Sequence, residues 1–247
     1  MSEAVRVDAS IAPLAIVAAM HEELASVLDL MPDERKVVVA GREFWQGHLH
    51  GHKVVAVLAR IGKVAAATTA AVLAERFEVG RVVFTGVAGG LGHGVRVGDV
   101  VVASEFLQHD MDASPIFPRH EVPLYGRSRF AADGGLAAAL CEAARTALPQ
   151  ARVHQGLIIS GDRFVSTTTE ARALQTELPE ALAVDMEGAA FAQVCHDFGL
   201  PFAAVRTISD RADDAAHGDF LQFIRTVASP YSAAIIETLL RDLPKAV

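Results

Sequence analysis

Four short segments, each at or directly after the end of an apolar run, carry residue types that could perform acid–base chemistry. They are residues 20–23 (MHEE), 86–90 (GVAGG), 185–190 (DMEGAA) and 206–213 (RTISDRAD). A carboxylate between apolar segments is costly to bury unless it has a partner or a function. Glu187 is the clearest case, because both of its flanks are apolar. Arg206, inside an apolar run, likewise indicates a buried charge partner.

Taken alone, each segment also has an ordinary structural explanation. Glu22 and Glu23 could lie at a solvated helix start, where acids complement the helix dipole. Asp185 could cap a helix, and Asp210 could belong to a turn. The glycine-rich segment matches neither a dinucleotide fingerprint nor a phosphate-binding loop.

The apolar runs and alanine-rich stretches predict one α/β domain, with a central mixed β-sheet flanked by helices. It would span residues 1–247, with 1–10 as a flexible leader. Strands are expected at 11–20, between 36 and 60, and at 81–86, 97–107, 153–161, the start of 181–199 and 200–210. Helices are expected after residue 20 and at 62–78, 133–147, 167–178, the end of 181–199 and about 219–243. Ligands of such sheets bind where strand ends open into loops, which is where the four segments lie.

Composition excludes several classes of function. A formal net charge of −8 argues against a general affinity for nucleic acid. No basic start with a long apolar core and no apolar run of bilayer length occurs, so we expect a cytoplasmic protein outside the membrane. Cys141 and Cys195 lie in apolar stretches and are expected to be buried, reduced thiols. Scattered histidines predict no metal site, and no cofactor is expected.

In this order, and together with SGDRF at 160–164, the segments resemble the 5'-methylthioadenosine/S-adenosylhomocysteine nucleosidases of the purine and uridine nucleoside phosphorylase superfamily. The resemblance runs from about residue 14 to 242. It is carried by AAMHEEL, RIGKVAAA, TGVAGGL, GLIISGDRFV, VDMEGAAFAQVC and VRTISDRAD. It implies a nucleoside phosphorylase-like fold and hydrolysis of the N-glycosidic bond of an adenine nucleoside, with release of adenine.

The resemblance also implies roles for individual residues. Asp210 would protonate N7 of the departing adenine, and such general-acid help is typically worth ~10²–10⁴-fold in rate. Glu23 would activate the attacking water, with Arg206 keeping it ionised, and Glu187 would bind the ribose hydroxyls. The implied substrate contacts are Phe164, which would stack on adenine, Val165, Met186, Ser209, Ile61, Ala88, Gly89, Met20 and Phe220.

The phosphorylase branch of the superfamily needs side chains that hold phosphate. The corresponding positions here are Phe84 and Val87, which cannot bind an anion, and acids in the first segment would repel one. This favours water as the nucleophile. Val87 and Asp185 stand where the family more usually has serine and glutamate.

The polar segment 108–130 contains three prolines and is expected to be a long functional or interfacial loop. The resemblance implies a homodimer in which residues 108–124 contribute to the partner's site. The candidate residues are His109, Asp110, Phe117 and Pro118.

Three other functions stay open from the sequence. The chain could hydrolyse another purine nucleoside such as futalosine, act as a phosphate-dependent phosphorylase, or be an inactive nucleoside-binding protein. Within the nucleosidases, the sequence does not choose between methylthioadenosine, adenosylhomocysteine and 5'-deoxyadenosine.

Overall fold

The computed structural model describes residues 12–212 and 220–244. The expected leader, residues 1–10, and Asp219, the expected start of the last helix, lie outside these ranges. Within the described residues, no helix has the length and apolar character needed to cross a membrane.

The described residues form ten strands. In chain order these are β1 (Leu14–Ala18), β2 (Arg35–Val39), β3 (Arg42–Leu49), β4 (His52–Leu58), β5 (Arg81–Gly90), β6 (Val100–Gln108), β7 (Arg129–Ala131), β8 (Val153–Ser160), β9 (Ala181–Asp185) and β10 (Phe202–Asp210). The central strands read as continuous apolar runs because both faces of the sheet are covered.

Helices fill most of the connections between strands. They are α1 (His21–Leu28), α2 (Lys63–Phe77), α3 (Gly134–Ala147), α4 (Thr168–Glu177), α5 (Gly188–Phe198), α6 (Phe220–Phe223) and α7 (Ser229–Asp242). Asp133 and Thr167 cap α3 and α4 by accepting backbone N–H bonds.

The sheet is mixed and partly closed on itself. Its order is β10-β6-β8-β9-β5-β1-β4-β3-β2, and β10 also pairs with β5. Strands β5, β10, β6, β8 and β9 therefore form a ring, and β1, β4, β3 and β2 extend from it. Strand β5 pairs in parallel with β1 and β10 and, at its last two residues, antiparallel with β9.

Two apolar clusters hold helices against the two faces of the sheet. One contains Leu73 of α2 and Phe191 of α5. The other contains Val27 of α1, Leu140 of α3 and Ile236 of α7. The predicted α/β architecture with a central mixed sheet is confirmed.

Three local features differ from, or refine, the expectation from sequence. Strand β5 was expected to end at Gly86 but continues through the later glycines to Gly90. The C-terminal helix contains a π-helical turn, Ile224–Ala228, between α6 and α7. The loop after β6 is confirmed, and the short strand β7 follows it. Cys141 and Cys195 are buried free thiols, as expected.

Candidate active site

Glu23 is a fully buried carboxyl in the first turn of α1. Its side chain is 0% exposed, and Oε2 accepts a hydrogen bond from the Met20 N–H at 3.1 Å. Its Oε1 has no hydrogen-bond partner among the described residues. Burial raises the pKa of Glu23 from 4.5 to about 7, although the Met20 N–H and the charge of Arg206 oppose this. A proton acceptor near neutral pH is what a general base requires.

The buried charge partner of Arg206 is Asp185. Nε of Arg206 donates to Oδ2 of Asp185 at 2.9 Å, and Nη1 donates to the Phe84 carbonyl at 2.9 Å. The guanidinium carbon lies 4.2 Å from the centroid of the Phe84 ring. Both charged side chains are 1% exposed. Such a pair stabilises the fold only when its remaining polar atoms are bonded. Asp185 meets that condition, whereas Nη2 of Arg206 lies 2.9 Å from Oδ2 of Asp185 without a well-aligned hydrogen bond among the described residues.

Asp185 is held by neutral donors as well as by Arg206. Its Oδ1 accepts from the Ser160 hydroxyl at 2.5 Å and from the Gly188 N–H at 3.1 Å. The Ser160 hydroxyl in turn accepts the Ala189 N–H at 2.8 Å. This changes the expected role of Arg206, because its charge is largely matched by Asp185 while Glu23 has a raised pKa.

Glu187 connects two parts of the chain at the start of α5. Its Oε1 accepts the Gly62 N–H at 2.9 Å, and its Oε2 accepts the Met186 N–H at 3.3 Å. Burial and the negative charge of Asp185 raise the pKa of Glu187 to about 7. Only half of the acceptor capacity of this carboxylate is used, so its oxygens can also accept hydroxyl groups of a ligand.

A β-bulge at the end of β10 positions the acid Asp210. Ile208 pairs with Ala88 and Asp210 with Gly89, which leaves Ser209 as an extra residue in β10. Oδ1 of Asp210 accepts the Ala212 N–H at 2.7 Å, and Oδ2 accepts the Ser209 hydroxyl at 2.7 Å. Both oxygens are therefore fixed in orientation.

One glycine of β5, Gly89, allows the Asp210 carboxyl to approach the strand. A Cβ on Gly89 would lie only 3.2 Å from Oδ1 of Asp210 and 3.0 Å from Cβ of Ala212. A Cβ on Gly86 would lie 3.6 Å from both carboxylate oxygens of Glu23, which is ordinary van der Waals contact. Since Gly89 lies within a paired strand, its function here is to give space rather than to form a turn.

These residues surround a cleft of about 670 Å³, called here the main cleft. It is lined by Ala19, Met20, Ile61, Val87, Ala88, Gly89, Arg163, Phe164, Val165, Val184, Asp185, Met186, Glu187, Ser209 and Asp210. Most of the residues expected to contact substrate are thus brought together. Glu23 and Arg206 lie behind the lining, next to Gly86. The side chain of Phe220 lies outside the described residues.

The sequence did not reveal two parts of this arrangement. Ser160, which bonds Asp185, begins the SGDRF segment, but no role was expected for its hydroxyl. The Gly62 N–H, which bonds Glu187, lies in the RIGK motif, where only Ile61 was expected to contribute. Phe84 is 0% exposed and lies under Arg206, whereas Val87 lines the cleft.

The loop after β6 is anchored to its own chain near the site. Asp110 forms an ion pair with Lys63 at 2.7 Å and accepts the Asp162 N–H at 2.9 Å. His109 is buried against Gly161. Farther along the loop, Ile116 is 82% exposed. Phe117 is half-buried and Pro118 is exposed.

Comparisons with known proteins agree with this fold. The family model described as the Phosphorylase superfamily matches residues 13–241, which defines the class of protein. A 5'-methylthioadenosine/S-adenosylhomocysteine nucleosidase of Anoxybacillus flavithermus is 35% identical over 233 residues, covering 94% of this chain and 99% of that protein. The chain belongs to the 5'-methylthioadenosine/S-adenosylhomocysteine nucleosidase family within that superfamily.

Two solved structures illustrate the range of similar enzymes. The nucleosidase of Neisseria meningitidis in complex with methylthio-immucillin-A has a TM-score of 0.89 and 38% identity, covering 94% of this chain and 99% of that chain. The futalosine hydrolase of Helicobacter pylori strain 26695 has a TM-score of 0.87 and 31% identity, with the same coverage.

Proposed function

We propose that this protein hydrolyses the N-glycosidic bond of 5'-methylthioadenosine, S-adenosylhomocysteine or both, and releases adenine. Family membership supports this function, and so does the arrangement of buried carboxyl groups at one cleft, with Asp210 and Glu187 in its lining and Glu23 behind it. Asp210 stands at the base end with Phe164 and Val165. Glu187 stands at the ribose, and Glu23 next to the attacking water.

The chemistry follows from these positions. As the bond from C1' to N9 breaks, its electron pair moves to the base, and Asp210 gives a proton to N7. Positive charge develops on the ribosyl group, and hydroxyl contacts to Glu187 strengthen in that transition state, as at glycosidase sites. Water then adds to C1' and transfers a proton to Glu23. The products are adenine and the free sugar with its 5'-thioether substituent, which is methylthioribose when the substrate is methylthioadenosine.

The observation that carries this proposal is the buried Glu23 carboxyl, which has a pKa of about 7 and an Oε1 without a hydrogen-bond partner in the described part of the chain. A phosphate in this place would meet a carboxyl group instead of a cation. Arg206 is matched by Asp185 at 2.9 Å, and Phe84 and Val87 offer no polar side-chain atom. The geometry therefore favours water over phosphate as nucleophile.

The test is incubation with methylthioadenosine, with and without phosphate, followed by mass analysis of the sugar product. We expect free methylthioribose at a rate that does not depend on phosphate. Methylthioribose-1-phosphate, formed only with phosphate, would instead assign a phosphorylase. Binding of the nucleoside without any cleavage would indicate a catalytically inactive binding protein.

Futalosine hydrolysis is the second candidate, because a futalosine hydrolase has the same fold at 31% identity. The base of futalosine is hypoxanthine, which carries an oxygen at position 6 where adenine carries an amine. A carboxyl group such as Asp210 suits the amine, which favours adenine nucleosides. Parallel assays of adenine and hypoxanthine release distinguish the two functions.

We also propose that the protein is a homodimer in which residues 108–124 approach the partner's site. Large apolar side chains are exposed on this loop and around the main cleft, namely Ile116 at 82%, Leu124 at 90%, Ile61 at 58% and Phe164 at 43%. Exposed apolar patches commonly mark interfaces. Because Asp110 already pairs with Lys63, the apolar residues of the loop are better candidates than Asp110 for contact with the partner subunit. Light scattering coupled to gel filtration gives the mass that tests the dimer.

A further inference from the structure

A second cleft of about 1270 Å³ opens beside the main cleft. It is lined by Ala19, Met20, His21, Glu22, Leu24, Gly41, Arg42, Glu43, Trp45, Leu58, Arg60 and Ile61. Ala19, Met20 and Ile61 also line the main cleft. The two clefts therefore meet at these three residues.

The junction lies beside the proposed ribose position rather than the base. Ile61 precedes Gly62, whose N–H bonds Glu187 at 2.9 Å. Asp210 and Phe164, which mark the base end, line the main cleft and not the second one. A substituent on the 5' carbon of a bound nucleoside would therefore extend into the second cleft.

Two arginines of this cleft have no carboxylate partner among residues 12–212 and 220–244. Arg42 donates to Thr69 Oγ1 at 2.9 Å and to the carbonyls of Ala40 and Ala65 at 3.3 Å, and Arg60 donates to the Gly41 carbonyl at 2.5 Å. A guanidinium has five N–H groups, so both arginines keep donors for a further acceptor. Burial and the nearby charge of Arg60 hold the pKa of Arg42 below its usual range.

The backbone of Arg60 is also unusual. Its φ is +66°, a left-handed conformation that glycine adopts freely and arginine only at a cost. Strained backbone of this kind concentrates at ligand-binding sites. It also means that a glycine at this position fits the local fold.

The acidic residues of the second cleft are paired with cations other than its two arginines. Glu43 pairs with Lys36 at 2.9 Å, and Glu22 pairs with Arg225 at 3.4 Å. Neither of them neutralises Arg42 or Arg60. The cleft therefore presents two cations suited to a carboxylate.

We propose that the second cleft binds the α-amino acid end of a 5'-thioether substituent, with Arg42 and Arg60 holding its carboxylate. The inference rests on the proposed nucleosidase function and selects, within it, S-adenosylhomocysteine over methylthioadenosine as the better-bound substrate. The α-carboxylate is the distinguishing group, since methylthioadenosine ends in a methyl group.

The experiment compares two substrates that differ only in this carboxylate. They are S-adenosylhomocysteine and 5'-(3-aminopropylthio)-5'-deoxyadenosine, and methylthioadenosine is assayed in parallel. For the unmodified protein we expect kcat/KM to favour the carboxylated substrate by about 5-fold or more, as charge-assisted bonds at a partly exposed site allow. Arg60→Gly should bring this ratio close to one, and Arg60→Lys should retain part of it.

Each result has a distinct meaning. Loss of the ratio in Arg60→Gly, with partial retention in Arg60→Lys, supports the carboxylate site. Two outcomes overturn the carboxylate site and leave the proposed function standing, provided that methylthioadenosine is hydrolysed. One is an equal kcat/KM for the two matched substrates, and the other is a kcat/KM ratio that Arg60→Gly does not change. Hydrolysis of none of the three overturns the proposed function and this inference with it.

Discussion

Replacement of Glu23 by glutamine tests the proposed role of this buried carboxyl as general base, through both stability and turnover. The pKa of Glu23 is raised from 4.5 to about 7 by burial. Between these two pH values the folded protein holds a proton that the unfolded chain has released. The free energy of unfolding of the wild type therefore falls as pH rises through this interval. At 1.36 kcal/mol per pH unit, the total loss is about 3 kcal/mol.

Glutamine has the same shape and no titration, so Glu23→Gln should lack this part of the pH dependence. Between about pH 5 and about pH 8 its free energy of unfolding should fall by roughly 2–3 kcal/mol less than that of the wild type. Any fixed cost of placing the amide affects both pH values equally. At the same time, turnover of methylthioadenosine should fall by ~10²–10⁴-fold, because the base is lost.

The assay is urea unfolding at the two pH values, combined with adenine release. Glu22→Gln is the matched control, since Glu22 is the adjacent residue, is 26% exposed in its side chain and pairs with Arg225. The control should keep the wild-type pH dependence and turn over methylthioadenosine within about 3-fold of wild type, as surface ion pairs contribute little. If Glu22→Gln is inactive and Glu23→Gln is not, or if Glu23→Gln titrates like the wild type, the reasoning fails.

Three further predictions concern the same site. Asp210→Asn should lower adenine release by ~10²–10⁴-fold while calorimetry still detects nucleoside binding, and near-normal turnover would remove Asp210 as the acid. Asp185→Asn leaves Arg206 buried and unpaired, which should cost ~3–5 kcal/mol of stability. Without the negative charge of Asp185, the charge of Arg206 should lower the pKa of Glu23, so the acid limb of the pH profile of kcat/KM should move to lower pH. An acid limb at the wild-type pH would contradict the view that Asp185 neutralises Arg206. Chelators should not change the rate, and a loss that divalent ions restore would refute a metal-free mechanism.

The sequence predicted the elements well because the strands are buried on both faces and read as apolar runs. It could not predict that β5 continues through Gly86–Gly90, since glycine has low strand propensity and the pairing comes from β10 and β9. The bulge at Ser209 likewise depends on register against a distant strand. Both features are set by tertiary pairing and leave no local signal.

The sequence predicted which residues form the site more completely than it predicted the contacts between them. Arg206 in an apolar run correctly indicated a buried partner, but spacing alone could not identify Asp185, which ends β9 and comes near Arg206 because β9 and β10 both pair with β5. The arginines of the second cleft were missed for a similar reason. Arg42 begins β3 and Arg60 follows β4. In the sequence each resembles an ordinary surface residue, and only the folded sheet brings them together.

The central position of β5 has a consequence for the order in which the site assembles during synthesis. Its neighbours are β1, β9 and β10, and β10, which carries Arg206 and Asp210, is the last strand in the described chain. A nascent chain that has emerged only as far as β9 would hold Asp185 without its cation and would lack Asp210, the proposed leaving-group acid. Closure of the ring by β10 thus supplies the charge balance and the proposed acid in one step. Recovery of activity should therefore report insertion of the final strand, which makes it a readout of late folding.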